Sequence, residues 1–375
     1  MSSPYRIRRS LIALSVLALA TAASPVSAGP KKTRVEVVFV LDTTGSMGGL
    51  IQGAKQKIWS IVNEIAKGKP TPEIRLGLIG YRDKGDDYVC TRTDLTADLD
   101  GVYEKLMAFD ANGGGDGPEH VNQALWEAVH KMSWSADRKT LKIVFLVGDA
   151  PPHMDYQDDV KYPQTCQEAV KRDLVIHTIQ CGAYQAATSF FQDIARKSEG
   201  RYMAIAQSGG TVAIATPYDA RLAELSGKLD ATYVGYGSAG ERSKAESKMK
   251  RARVMAAEAA PEAAAARASY KASTGAVGSS DLLSDVESGK VELSEMKSEA
   301  LPEPMQKMSA AERRAFLEKK KAERESIRKQ IGELSRQRDA YVKKEMAEKS
   351  GAGDSFDAKV IESIRDKAAK KGIRY

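Results

Sequence analysis

The chain has 375 residues, with 57 Lys+Arg against 50 Asp+Glu and a formal charge of +7, a length above what one hydrophobic core usually organises. The charge is uneven: residues 1–28 hold three Arg and no acid, residues 29–238 hold 24 basic and 27 acidic side chains, and residues 239–375 hold 30 and 23. All three Trp and five of the seven Phe precede residue 239; together these counts exclude a wholly disordered chain, a polytopic membrane protein and a uniformly basic nucleic-acid binder.

Arg6, Arg8 and Arg9 precede an apolar run over 11–23, and Val26, Ser27 and Ala28 close it. A positive start, a short apolar core and small residues at −3 and −1 read as a secretory leader over 1–28; a bilayer span needs about 20 residues. The expectation is an exported protein, periplasmic or secreted, and not integral to the membrane once the leader is cut.

Residues 35–41 form a continuous apolar run of strand length, followed by a helical pattern through Ile51, Ile58, Val62 and Ile65. The alternation continues: strand 74–81, an antiparallel partner over 88–93, helix 121–132, strand 141–147, helix 164–172, strand 174–180, helix 187–198, strand 201–205 and helix 218–230. Strands alternating with helices of this length predict an α/β fold, a doubly wound and mostly parallel sheet covered on both faces, over residues 33–236. Residues 237–308 are rich in Ala, Ser, Glu and Lys and lack Trp and Phe, which predicts a partly disordered low-complexity linker. Ser309 with Glu312 reads as a capping box that opens a charged helical tail over 309–375. Its positions 327, 331, 334, 338 and 341 have heptad-like spacing, although Arg338 occupies the seam; the helix is read either as a partner-binding coiled coil or as packed on the main domain. A last short helix is expected over 358–371.

Three cysteines, Cys90, Cys166 and Cys181, enter an oxidising space in this reading. Cys166 near the start of a helix and Cys181 at the end of the next strand favour a 166–181 disulfide over three separate buried thiols.

In open α/β sheets, ligands bind beyond the carboxyl ends of the strands. The first strand runs into Asp42, Thr43, Thr44, Gly45 and Ser46, so an acid and two hydroxyls at +2 and +4 surround a tight glycine turn. The fourth strand ends at Gly148 and Asp149, and the loop 112–119 between them carries Asp116. Carboxylates converging with hydroxyls make a hard-oxygen site suited to Mg²⁺, with Mn²⁺ or Ca²⁺ as substitutes. Gly45 and Gly115 allow a ligand close to the backbone, and His153 is either a ligand contact or a solvated loop residue. Asp83, Asp86 and Asp87 read as a polar hairpin turn.

Asp42-x-Thr44-x-Ser46 resembles the D-x-S-x-S metal-ion-dependent adhesion motif of the von Willebrand factor type A domain, with Thr in place of the first Ser. The resemblance covers about residues 33–235. It implies ligands from the first-strand motif, a Thr in a middle loop and an Asp after the fourth strand. Asp149 matches the last, whereas Gly115 stands at the Thr position with Asp116 beside it as the replacement. The stretches 113–119 and 148–153 are similar to bacterial and alpha-kinase-associated members; nothing after residue 240 carries kinase motifs. The resemblance implies a non-catalytic binding module in which a partner protein's carboxylate completes the Mg²⁺ shell, and an added carboxylate at Asp116 would weaken that capture.

Two other readings compete. A haloacid-dehalogenase-like phosphohydrolase would use Asp42 as nucleophile, but Thr44 stands where its second acid belongs. A metal-independent envelope scaffold would contact anionic polymer through the basic tail. Nucleic acid is not an expected partner, since residues 29–238 are net acidic.

Overall fold

The structure, a computed structural model, describes residues 33–115, 117–208, 214–275, 277–348 and 356–375; the expected leader and Asp116 lie outside the described residues. Strand β1 (Arg34–Asp42) is buried along nearly its whole length, as its unbroken apolar run requires. The order of the six-stranded sheet is β3-β2-β1-β4-β5-β6, with β2 (Glu73–Tyr81), β4 (Leu141–Gly148), β5 (Val175–Cys181) and β6 (Tyr202–Ile205) parallel to β1 and β3 (Cys90–Thr96) antiparallel at one edge.

Alternation along the strands divides the core into two layers. Val35, Val37, Phe39 and Leu41 face α1 (Gly48–Ala66) and α2 (Leu99–Met107), a helix the sequence reading passed over. Val38 and Val40 face α3 (Val121–His130), α4 (Tyr162–Lys171) and α5 (Gln185–Lys197). This division corrects the expected disulfide. Cys166 lies in the second layer and Cys181, in phase with Ile179, in the first. The sheet separates them, and all three cysteines are free.

After α6 (Asp219–Asp230) the expected linker contains α7 (Ala239–Glu258) and α8 (Pro261–Thr274), the latter buried on nearly all sides between α1, α6 and α11 (Ala310–Glu348). Two short helices, α9 (Leu282–Glu287) and α10 (Glu303–Gln306), precede α11. The linker reading fails because alanine buries little area per residue yet lets helix axes approach closely: Ala263, Ala264, Ala265, Ala266 and Ala268 are each at most 4% exposed. Ser309 and Glu312 cap α11 reciprocally, at 2.7 and 3.3 Å. Its seam residues Ile327 and Ile331 pack on Leu222, Leu225 and Leu229 of α6 and on the α8 alanines. The coiled-coil expectation is therefore corrected: the apolar seam is covered within the chain, and Arg338 reaches Asp219 of α6 at 2.7 Å. Helix α12 (Phe356–Ala368) completes the first layer, with Phe356 6.0 Å from Phe39. Among the described residues no helix is long and apolar enough to cross a membrane.

A buried ionic group holds α8 in place. Arg267, 1% exposed, donates to both oxygens of Asp100 (2.7 and 3.0 Å) and pairs with Asp230 at 2.9 Å, while Lys271 reaches Asp100 at 2.8 Å and Asp230 at 2.9 Å. Two cations balance two carboxylates, tying α8 to α2 and α6. Removing one partner leaves a buried charge uncompensated, so Arg267→Met is expected to lower stability by about 3–5 kcal/mol in urea titrations. His177 gives a second expectation. It is fully buried on β5, stacks on Phe145 at 5.3 Å, and accepts from the Arg201 amide through Nδ1. Burial, and then Lys367 and Arg201, lower its pKa to about 3. Since the unfolded imidazole titrates near 6.5, the unfolded chain binds an extra proton between those values. Its contribution to stability is therefore lost as pH falls, by up to about 1.4 kcal/mol per pH unit. Stability measured from pH 6.5 to 5 is expected to fall less steeply in His177→Gln than in the wild type.

Candidate metal centre

The carboxyl ends of β1 and β4 define the site. Asp42, the last residue of β1, is completely buried, and its Oδ1 accepts from the Thr44 amide at 2.9 Å and from Thr44 Oγ1 at 2.6 Å. Among the described residues Asp42 Oδ2, equally buried, has no hydrogen-bond partner; the Asp149 amide lies near enough to this carboxyl to favour its charged form. Burial is the main influence on this carboxyl and, with the Asp149 charge, outweighs the Thr44 bonds, so its pKa rises to about 7. Ser46 is exposed on the 3-10 turn Gly45–Met47 that leads into α1, and its Oγ stands 3.5 Å from Thr44 Oγ1. A carboxylate at the floor and two hydroxyls rising to an exposed lip thus follow from the i, i+2, i+4 spacing.

Two further loops close around this turn. Gly45 donates its amide to Gly113 O at 3.2 Å, and Asn112 donates to Thr43 O at 3.1 Å. Gly113 and Gly114 adopt φ of +77° and +83°, a region open to glycine, and the Gly114 amide reaches both Asp86 oxygens at 3.2 Å. From β4, Asp149 accepts from Gln207 Nε2 at 2.6 Å, and the same nitrogen donates to Ser46 O at 3.2 Å.

Of the residues singled out in the sequence, Asp42, Thr44, Ser46 and Asp149 come together at one sheet edge, with Gly45 in the turn. Gly115 is exposed, with open space where a side chain would project. His153 is neither solvated nor presented at the mouth. It is 6% exposed, lies flat on Tyr156 with ring centroids 4.0 Å apart, and bonds Asp155 through Nδ1 at 2.9 Å. The supposed polar hairpin also has structure: Asp83 is buried and accepts from Tyr156 Oη at 2.7 Å. The sequence reading missed Gln207, Tyr81 and Glu119. Tyr81 Oη is buried, and its pKa is raised well above the usual value by burial and by Asp42, Glu119 and Asp149. Glu119 closes the glycine loop as a buried acid immediately before α3, which was its one legible signal.

Among the described residues no three His, Cys, Asp or Glu side chains form a ready metal cage. The donors here are of another kind, two carboxylates with two hydroxyls. An orphaned, fully buried carboxylate oxygen beside hydroxyl groups fits a hard divalent cation, which would remove the burden of the uncompensated charge. Gly148 guards this space, because a Cβ there would stand 2.4 Å from Tyr81 Oη and 3.2 Å from Asp42 Oδ2. Gly148→Ala is expected to destabilise the protein by about 1–3 kcal/mol through overpacking, read as a lower urea midpoint with unchanged m-value.

Residues 36–217 match the family model described as "von Willebrand factor A domain". The chain is 37% identical over 114 residues to von Willebrand factor A domain-containing protein 7 of Rattus norvegicus and 35% identical over the same length to that of Homo sapiens. Each alignment covers 30% of this chain and 12% of the relative, so the chain spans about an eighth of those proteins. Among solved structures, the VWA domain of SpRpn10 is similar at 14% identity and a TM-score of 0.36, over 47% of this chain and 89% of that one. A mussel byssus proximal thread matrix protein, with zinc in its MIDAS motif, is similar at 16% identity and the same TM-score, over 46% and 42%.

Proposed function

Since residues 36–217 of this chain are a von Willebrand factor A domain, we propose that it is a metal-dependent protein-binding module. Asp42, Thr44 and Ser46 would hold a divalent cation, with Asp149 beside them, and an oxygen atom of a partner protein would complete its shell. The observation that carries the reading is Asp42 Oδ2, wholly buried and without a hydrogen-bond partner among the described residues, next to the buried Thr44 hydroxyl and the exposed Ser46 hydroxyl. Oxygen-only donors favour Mg²⁺ among abundant cations. The bound ion supplies an electrophilic coordination position, while the chain's own groups set its depth and hold the surrounding loops.

The burial of Asp42 also speaks against phosphohydrolase chemistry. A nucleophile must reach its substrate, whereas this carboxylate is closed off beneath its own loop and tied to Thr44. The proposal extends to location: the leader read over 1–28 sends the domain out of the cytoplasm, where its partner would be met.

Thermal unfolding of the chain in EDTA and in 10 mM Mg²⁺, for wild type and Asp42→Ala, tests the reading. With a Kd of about 1 mM, 10 mM metal adds roughly RT ln 11, or about 1.4 kcal/mol, a rise of about 2 °C for a protein of this size. The rise is expected in the wild type and not in Asp42→Ala. Equal unfolding temperatures with and without metal in the wild type would overturn it.

A further inference from the structure

At the opposite end of β4 the chain gathers cations instead of acids. Lys142 is the second residue of β4, about 23 Å along the strand from Asp149. It shares the phase of Val144 and Leu146, so its side chain enters the layer of α3 and α4. It is 5% exposed, and among the described residues its Nζ reaches a single acceptor, Arg172 O at 3.2 Å, just past the last turn of α4. An ammonium carries three donors, so two protons of this buried group have no acceptor there. Burial holds its pKa below the usual lysine value, against the opposing pull of Asp173 and Glu36.

Lys142 lines a cavity of about 310 Å³ together with Trp134, Arg138, Lys171, Arg172 and Asp173. Trp134 is half-buried, and its Nε1 donates to Ala128 O of α3 at 2.7 Å, which fixes the indole. Arg172 is anchored beside it, donating to Val129 O at 3.1 Å. Asp173, the acid among these six, is met by Lys371 at 2.7 Å, and the same ammonium donates to Arg138 O at 2.7 Å. The other acids near Lys142 also have donors: Glu36 takes Arg75 at 2.7 Å and the Ser135 amide at 2.8 Å, and Asp137 takes the Lys139 amide at 2.9 Å. Four cations therefore line the cavity, and among the described residues none of them forms an ion pair. Capping of helix carbonyls explains the Arg172 contact, but not this surplus of charge around a buried ammonium.

We propose that this cavity is a small-molecule anion site, which takes a phosphate-like dianion joined to a planar apolar group. Lys142 is the buried floor, and Arg138, Lys171 and Arg172 are the exposed rim. The oxyanion would take charge-assisted hydrogen bonds from the floor and the rim, and the planar group would lie against Trp134. A dianion suits the site better than a single carboxylate because the surplus exceeds one charge. The volume is that of a small-ligand pocket. The site is independent of the metal centre, since it lies at the other end of the strand and uses no metal.

The test is titration calorimetry of the full chain in EDTA with phenyl phosphate and with inorganic phosphate, for wild type and Lys142→Met, with thermal unfolding as the check of folding. Phenyl phosphate is expected to bind the wild type, and inorganic phosphate to bind about 5–100-fold more weakly for want of the aromatic contact. Lys142→Met keeps the apolar stem and removes the ammonium; it is expected to bind phenyl phosphate about 10–100-fold more weakly. If Lys142→Met does not fold, the double variant Arg138→Met with Lys171→Met, both at exposed positions, carries the test and is expected to lose affinity in the same direction. A wild type that binds no phenyl phosphate at millimolar concentration, or wild-type affinity in a folded variant, overturns the anion site. Equal affinity for the two phosphates overturns the contact with Trp134.

Discussion

A carboxylate wholly inside a protein is tolerated only if its surroundings compensate for lost water, and Asp42 imposes that constraint on everything around it. It ends a strand that is buried on both faces, so no rearrangement of a surface side chain can expose it. Thr44 satisfies one oxygen with both its amide and its hydroxyl. The other oxygen is left toward Gly148, where the missing side chain keeps the space open. The glycine loop and Gln207 are fastened to the turn that follows Asp42, yet among the described residues neither gives that remaining oxygen a hydrogen bond.

The same problem is solved differently at the other side of the first core layer. Asp100 and Asp230 are also buried, but Arg267 and Lys271 come from α8 to meet them. That network is electrically complete within the chain. The contrast is informative: between α8, α2 and α6 the buried acids are met by cations of the chain, whereas among the described residues no Lys or Arg pairs with Asp42. The matched family region ends at residue 217, whereas α8 and α12 lie beyond it and cover the first layer together with α1 and α2. The basic C-terminal composition that reads as a solvated tail is in part the counter-charge for the acidic domain, as Arg338 on Asp219 and Arg365 on Glu64 illustrate.

The parallel sheet was legible because strands buried on both faces demand uninterrupted apolar runs such as 35–41 and 141–147. The Asp42, Thr44, Ser46 spacing was legible because an acid and two hydroxyls at alternate positions directly follow the first apolar run, at the strand end where ligands bind in such sheets. Cys166 and Cys181 were misread because proximity along an αβ unit was considered without parity: Cys181 shares the phase of Ile179, and α4 covers the opposite face. The α8 segment was misread because composition weighs apolar bulk, whereas alanines bury by allowing close approach of neighbouring helices. Glu119 escaped because its one local mark, an acid closing the glycine loop before α3, does not show that it is buried; its backbone is held by a bridge to Pro152, 33 residues away in sequence.

Helix α1 joins the two ends of the molecule. Its first turn grows directly out of the Gly45–Met47 turn at the metal centre. Near its last turn, Tyr375 Oη donates to Ile65 O, and Lys69 pairs with Arg374 through two backbone bonds of 2.8 and 3.0 Å. Nineteen residues of helix separate these ends by about 28 Å. Arg374 and Tyr375 are therefore fastened at the end of α1 away from the site. A helix packed along its length by α8 and α12 holds Thr44 and Ser46 at fixed depth above Asp42. Pre-positioning of this kind lowers the ordering cost of binding an ion, and it relies on segments that the sequence presents as linker and tail.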